Sequence, residues 1–357
     1  MESTIITLPI KAYEKDKIGL LVIPIFAETL KAKTKFEAAL ALNLVDSFED
    51  RISYIEKYYQ LIKNTNIDLD AVWIDSKNKQ QLLDELTKLV KLGYIKEKDK
   101  HIKSCKCCKV EIDEELLEKV NGKCYRKENG DFFCNFCNEP IKVNTERCLV
   151  FEVPVNTSEK IVTIPRRISK QIQELDKRIG GNDIIISRKR KTGYQYLYNN
   201  NLYNIDVDFM WQNYLATIPK ENTKVIIASN HAIYSMYMIN LIEKCKGKEN
   251  HIFVALPYVK ELENIDFMNK DSKISKMVLS MVASKMKNED SKWDNEMYKY
   301  IEKLPDKQKE KYFEELYSKI DVNKDESIEN YINRIVLEKM NFQKITKKIR
   351  GEREAER

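Results

Sequence analysis

A mainly parallel α/β sheet, interrupted by a cysteine-rich insertion and followed by a charged helical segment, is the fold class that the sequence predicts. Three observations point to it. Short β-branched runs alternate with helical apolar patterns on both sides of residues 103–150, which is the signature of strands joined by crossover helices. Six of the eight cysteines fall between Cys105 and Cys137, in a stretch of short polar pieces. From about residue 278 onward the chain is strongly charged with helical spacing of its apolar residues.

Taken in order, IGLLVIPIF (18–26) reads as a buried strand, and TLKAKTKFEAALALNLV behind it is rich in alanine and leucine and reads as a helix. Ser47-Phe48-Glu49-Asp50 has the form of a capping box, with Ile52, Ile55, Tyr59 and Ile62 at helical spacing after it. AVWID (71–75) reads as a strand. Leu82, Leu83, Leu86, Leu89 and Val90 make one helix face, closed by Gly93. CLVFEVPV (148–155) is strand-like, residues 165–178 are a basic helix, and Gly180-Gly181 ends it. The alternation then resumes with NDIIIS, KVIIAS (224–229), a helix over HAIYSMYMINLIEKC that is apolar nearly all round, and the strand HIFVALPYV (251–259). In the last segment Pro305 is one break, and KKIRGEREAER reads as a frayed tail.

With 357 residues and 43% hydrophobic content the chain can bury a large core. No run reaches the ~18–20 uninterrupted apolar residues of a membrane helix, and MESTIITLPIKAYEKDK lacks the basic-then-apolar order of a signal peptide. The expectation is a cytoplasmic protein with no membrane contact. Formal charge is +6, and residues 166–191 alone hold nine basic and three acidic side chains. Such a concentration suits RNA phosphate or a nucleotide, with Arg188, Lys189, Arg190 and Lys191 as the RNA-binding candidates; a solvated lysine-rich surface is the plainer alternative. There is no GxxxxGKS, GxGxxG or HExxH sequence, which removes the common phosphate-loop and metalloprotease chemistries.

Cys105 and Cys108 form one CxxC pair, and Cys134 and Cys137 form another 25 residues later. Four thiolates so spaced can surround a structural zinc ion at ~2.3 Å each. Cys107, Cys124 or Cys148 is an alternative fourth ligand, and free cysteines without metal are the other reading. A site closed by four cysteines leaves no position for a reactive water, so its task would be to fold an insertion short of apolar residues.

The motif DSKISKM (271–277) lies beyond the strand HIFVALPYV. A near copy, Arg167-Ile168-Ser169-Lys170, shows how easily such a run arises in this chain. Its context carries more: an α/β half, a cysteine-knuckle insertion, a second half with IIISRKRKTG after a helix, KVIIASNHAIYSMYMINLI, and then K-x-S-K. In that order, and with YIEKYYQLIKNTNIDLDAVWIDS and LTKLVKLGYI ahead of the knuckle, residues 18–280 resemble the catalytic domain of class I aminoacyl-tRNA synthetases, in a methionyl- or isoleucyl-like layout.

The resemblance implies a Rossmann-like (HUP-type) parallel sheet in two halves, residues 1–102 and 166–280, around a zinc-binding insertion at 103–165, with a helical region at 281–357. It implies ATP with Mg2+ and an amino acid as substrates, and tRNA or another acceptor as partner. Lys273, Ser275 and Lys276 match the first lysine, first serine and second lysine of the family's K-M-S-K-S loop, so the two lysines would be catalytic, stabilising charge as pyrophosphate leaves. Ile274 is a mild change and Met277 replaces the last serine. Asn230 and His231, after a strand end, would contact substrate, and Asp46 would hold an amino group unless it is a turn residue.

The family's H-I-G-H sequence is missing. The chain has three histidines, His101, His231 and His251, none near residues 24–35. If LKAKTK stands in its place, Lys31 and Thr34 become nucleotide-binding candidates, with a lysine where the family has glycine. Two functions follow: an ATP-dependent ligase with an altered site, or an inactive paralogue that binds tRNA or a protein partner as a modulator. The region after residue 280 is short for anticodon recognition.

Overall fold

The computed structural model describes residues 3–8, 34–40, 71–74, 77–104, 111–113, 125–135, 137–155, 161–188, 194–217, 224–247, 251–257, 281–283, 285–286, 295–309, 311, 326–334 and 342–355. In chain order the elements are β1 (Ser3–Thr7), β2 (Thr34–Leu40), β3 (Ala71–Ile74), α1 (Lys79–Lys91), β4 (Ile95–Ser104), β5 (Glu111–Asp113), β6 (Tyr125–Glu128), β7 (Asp131–Cys134), β8 (Lys142–Glu152) and β9 (Val162–Ile164). There follow α2 (Arg167–Ile179), β10 (Asp183–Ile185), β11 (Ser187–Arg188), β12 (Tyr194–Tyr198), β13 (Asn201–Ile205), α3 (Val207–Leu215), β14 (Lys224–Ser229), α4 (Ile233–Cys245), β15 (His251–Leu256), α5 (Asn295–Glu302), α6 (Ile328–Asn333) and α7 (Phe342–Ala355).

Six strands pair in parallel in the order β3-β2-β1-β14-β15-β9. The central strands β14 and β15 are buried along nearly their whole length, which is why KVIIAS and HIFVAL read as continuous apolar runs rather than alternating ones. Helix α1 turns Leu82, Leu86 and Leu89 inward, all fully buried, and Gly93 beyond it has φ +83°, the left-handed conformation that glycine takes at least cost. Asp206 caps α3 by accepting from the backbone N–H groups of Asp208 (3.0 Å) and Phe209 (3.2 Å). Met236 to Glu243 of α4 are all buried, as its all-round apolar sequence requires. Phe151, Phe209, Trp211, Tyr237 and Phe253 join α1, α3, α4 and the sheet in one core.

Two further sheets lie outside the parallel one. The first, β10-β8-β4-β5, is built on a long antiparallel pair whose register runs from Ile95 opposite Phe151 to Ser104 opposite Lys142. It takes its strands from before residue 103 and from after residue 165 as well as from between them. On one of its faces Lys96 and Lys98 meet Glu152 at 2.6 and 2.7 Å, and Lys98 and Lys100 meet Asp183 at 2.8 Å each. The second, β11-β13-β12, packs onto the other face: Tyr203 and Asn201 of β13 both donate to Glu97, Asn201 at 2.9 Å. Those donors hold the Glu97 carboxyl below its usual range and push the Tyr203 hydroxyl, chiefly through burial, up to about 12.

Four expectations are corrected here. Residues 34–40, TKFEAAL, are a strand, not a helix; pairing with β1 and β3 on both sides overrides the helix propensity of Phe-Glu-Ala-Ala-Leu. The first described strand is STIIT at 3–7, and 18–26 lies outside the described residues, as does the capping box at 47–50. NDIIIS supplies β10, which pairs antiparallel with β8 instead of joining the parallel sheet. The tail is helical through Ala355, as α7.

Gly180, at the end of α2, is intolerant of a side chain for a reason of space. A Cβ there would stand 2.6 Å from the backbone oxygen of Asp176, which is fixed in the helix. Gly180→Ala is therefore expected to destabilise the protein by about 1–3 kcal/mol, measured by urea denaturation.

Candidate functional site

In an open parallel sheet, ligands gather beyond the carboxyl ends of the strands where the strand order reverses. Here that point lies between β1 and its neighbour β14, since β2 and β3 extend to one side and β15 and β9 to the other. Leu8 continues β1, its N–H donating to the Ile227 carbonyl at 3.4 Å. From β14 the chain turns through a short 3-10 helix, Asn230–Ala232, started by Ser229, whose hydroxyl accepts from the His231 N–H at 3.2 Å. This turn places Asn230 half-buried and His231 exposed at the carboxyl edge, as expected for residues that follow a strand end.

His231, Ile233 and Tyr234 form one wall of a cleft of about 250 Å³, and Gln171, Glu174, Leu175 and Arg178 of α2 form the other. Gln171, Glu174 and Arg178 recur at helical spacing, so they share the outward face of α2, while Ile168, Ile172 and Ile179 are buried. The two walls are fastened by a buried bond in which the Tyr237 hydroxyl donates to Asp176 Oδ1 at 3.1 Å. Burial, and after it the Asp176 carboxylate, push the Tyr237 hydroxyl far above its ordinary range, so it stays a donor. The cleft thus combines a guanidinium, a carboxyl, an imidazole and a phenol, a set able to hold a polar molecule carrying charge of both signs.

The other sequence-predicted residues are not all gathered here. Thr34 opens β2 and pairs with Ser3 at the amino-terminal edge of the sheet. Since Thr4 lies opposite Lys224, Thr34 is seven residues of strand from the level of Asn230, about 23 Å at ~3.3 Å per residue. The structure does not bring the two together. Arg188 lies in β11, opposite Asn204. Lys31, Asp46, Lys189, Arg190, Lys191, Lys273, Ser275 and Lys276 lie outside the described residues, as do Cys105, Cys107, Cys108 and Cys124.

The basic stretch 166–191 does not act as one patch: Arg178 lines the cleft, and the Arg167 guanidinium is turned to the carbonyls of Lys285 and Met286. Gln171, Glu174, Arg178 and Tyr234 went unrecognised in the sequence, where the outward spacing of the first three on α2 was the available signal.

Cys134 and Cys137 sit on a tight turn. Strand β7 ends at Cys134, whose carbonyl accepts from the Asn138 N–H at 2.9 Å and whose N–H donates to the Glu139 carbonyl at 3.0 Å. Asn138 has φ +59°, which folds the chain back directly after Cys137. Arg126 braces the turn, donating to the Asn138 side chain at 2.9 Å with its guanidinium over the Phe133 ring. Cys148 is elsewhere, buried with Ile102, Val150 and Ile185, so it is a core thiol. Among the described residues no group of three or more metal-ligating side chains comes together.

No family model matches the sequence, and no curated protein does. Solved structures do. Mycobacterium tuberculosis methionyl-tRNA synthetase bound by methionyl-adenylate is similar with a TM-score of 0.60 at 10% identity, over 90% of this chain and 71% of that one. The fold is that of methionyl-tRNA synthetase. A second structure of the same synthetase with methionyl-adenylate gives 0.57 at 10% identity over 84% of this chain and 67% of that one. Its apo form gives 0.57 at 12% identity, over 85% and 66%. The chain thus spans about two thirds of the methionyl-tRNA synthetase length. Likeness at this identity is likeness of fold, and it agrees with the parallel α/β architecture expected from the sequence. Among the described residues no helix is long and apolar enough to cross a membrane.

Proposed function

We propose that the chain is a class I aminoacyl-tRNA synthetase-like protein that activates an amino acid with ATP and Mg2+ and passes it to tRNA or another acceptor. The observation that carries this reading is the agreement between the synthetase fold and the order of the sequence motifs, with Lys273-Ile274-Ser275-Lys276 directly beyond the last parallel strand. Lys273 and Lys276 would stabilise the departing pyrophosphate, and Ser275 would donate to it. Asn230 and His231 would meet the bound substrate at the carboxyl edge.

The strand at residues 3–7 also revises where the counterpart of the family's H-I-G-H is sought. The segment after the first strand begins at Leu8, which removes the reason for assigning the role to Lys31 and Thr34. Within it, Lys17-Ile18-Gly19-Leu20 keeps the isoleucine and glycine and puts a lysine at the first histidine position. On this reading the glycine that lets adenine approach the backbone is retained, and Lys17 supplies a cation toward phosphate.

A structural zinc ion held by Cys105, Cys108, Cys134 and Cys137 is part of the proposal. The turn at Cys134–Asn138 supports it, and so does the register of β4 with β8: Ser104, adjacent to Cys105, lies opposite Lys142, close in sequence to the turn. Both CxxC pairs therefore flank the same end of the β4–β8 ribbon. The Arg126 guanidinium offsets part of the negative charge that four thiolates bring.

An inactive, tRNA-binding paralogue is the second reading, favoured by the absence of any histidine between Leu8 and Thr34. Amino-acid-dependent exchange of pyrophosphate into ATP separates the two. One of the twenty amino acids is expected to support exchange, and Lys276→Ala to lower its rate by roughly 10²–10³-fold. Silence with all twenty, together with tRNA binding weakened by alanine at Arg188, Lys189, Arg190 and Lys191, would establish the second reading.

A further inference from the structure

The near copy of the lysine loop, Arg167-Ile168-Ser169-Lys170, turns out to open α2, where Ile168 is 2% exposed and part of the core. Arg167 is in the first turn of that helix, and no acidic residue stands in the same turn. A cation there opposes the helix dipole, so its placement asks for a compensating partner. The partner lies 118 and 119 residues along the chain: Arg167 Nη1 donates to the Met286 carbonyl at 2.5 Å and Nη2 to the Lys285 carbonyl at 3.4 Å. Residues 281–283 and 285–286 are helical, and Met281, Val282, Ala283 and Met286 are buried. A guanidinium on the last carbonyls of a helical segment is favourable on both hydrogen-bonding and dipole grounds.

This segment follows Lys276 by five residues. Five residues span at most about 18 Å, so wherever the segment is held, Lys276 lies within that reach. We propose that Arg167 is a positioning residue for Lys273–Lys276, acting through the helical segment that ends at Met286. The proposal rests on the reading of Lys273–Lys276 as a triphosphate loop. Arg167 itself touches no substrate; its fork fixes the end from which the loop is hung, and a lysine in its place would reach one carbonyl in place of two.

The test compares the full chain carrying Arg167→Met, Arg167→Lys or the neighbouring control Arg166→Met with the unaltered protein, by amide hydrogen exchange and by pyrophosphate exchange. Arg167→Met is expected to speed exchange of amides in 271–286 roughly tenfold or more. It should lower kcat and raise KM for ATP while leaving KM for the amino acid unchanged. Arg167→Lys should recover part of each, and Arg166→Met should change none. Unaltered amide exchange across 271–286 in Arg167→Met would overturn the proposal; faster amide exchange with unaltered kcat and KM for ATP would reduce Arg167 to a stabilising contact. If the unaltered protein exchanges no pyrophosphate with any amino acid, the enzymatic reading fails. The amide comparison then decides, without ATP, whether Arg167 positions 273–276: faster exchange there sustains it, and a change confined to 281–286 overturns it.

Discussion

Replacing His251 by alanine is expected to destabilise the protein by about 3–5 kcal/mol, the cost of removing one member of a buried charged pair. His251 is 7% exposed and Glu243 3%. Imidazole Nδ1 meets the Glu243 carboxyl, and Nε2 stands 3.1 Å from the Leu215 carbonyl, to which the buried Lys224 ammonium also donates at 3.1 Å. Lys224 and His251 face each other across the β14–β15 register, so the cluster ties the amino ends of the two central strands to the ends of α3 and α4. Urea denaturation of His251→Ala measures the cost, and a loss under about 1 kcal/mol would contradict this account of the pair.

The same cluster sets a pH dependence. Burial is the strongest influence on the imidazole and lowers its pKa below the ordinary 6.5; Lys224 pushes the same way, and Glu243 opposes. The unfolded chain therefore takes up a proton near pH 6.5 that the folded protein refuses. Stability is full above pH 6.5 and declines as pH falls below it, by up to about 1.4 kcal/mol per pH unit, until the folded pKa is passed. His251→Gln should flatten that part of the profile between pH 7 and 5. A profile as steep as that of the unaltered protein would assign the dependence to other groups.

Much of the scaffold is written locally. The apolar spacing of α1 ends on Gly93, α4 is apolar on every side because every side is covered, and β14 and β15 are short apolar runs because both faces are buried. What escaped sequence reading depends on distant partners. TKFEAAL favours a helix by composition and becomes a strand because Ser3–Ile6 on one side and Ala71–Ile74 on the other offer backbone partners. Asp183–Ile185 looks like any buried strand, and only the position of β8 decides its sheet. The hairpin β12–β13 did carry a local signal: Tyr194-Gln195-Tyr196-Leu197-Tyr198 alternates buried and exposed residues, and Asn199 and Asn200 both take positive φ.

The candidate site is split in the same way. Asn230 and His231 could be read from a strand end. The α2 wall of the cleft could not, because it takes tertiary packing, through Tyr237 and Asp176, to bring Glu174 and Arg178 opposite them. The position of the first strand mattered most. Five residues, STIIT, fall below the length at which a pattern stands out, and missing them shifted the search for a nucleotide loop to Lys31 and Thr34, at the wrong edge of the sheet.

Withdrawing zinc is expected to unfold the cysteine insertion and leave the six-stranded sheet intact. The described part of the insertion between β5 and β8 is a two-stranded hairpin, β6–β7, in which Cys134 is buried and Phe132 and Phe133 are half-exposed. A hairpin of four paired residues on each strand is at best marginal in water without a further layer. Binding of a structural zinc ion is worth about 10–16 kcal/mol in small zinc domains near neutral pH, more than enough to order such a piece.

The parallel sheet has its own core in Ile226, Phe253, Trp211 and Tyr237 and does not call on the metal. Protein purified without chelator should hold about one zinc per chain. A strong chelator should release it, with amide protection lost over 125–141 and kept over 224–256. Cys134→Ser should lower zinc affinity sharply, whereas Cys148→Ser should leave zinc content unchanged, because Cys148 packs against Ile102, Val150 and Ile185, away from the turn. Zinc well below one per chain, or protection over 125–141 that survives the chelator, would mean that the hairpin is held by packing and that the four cysteines have another use.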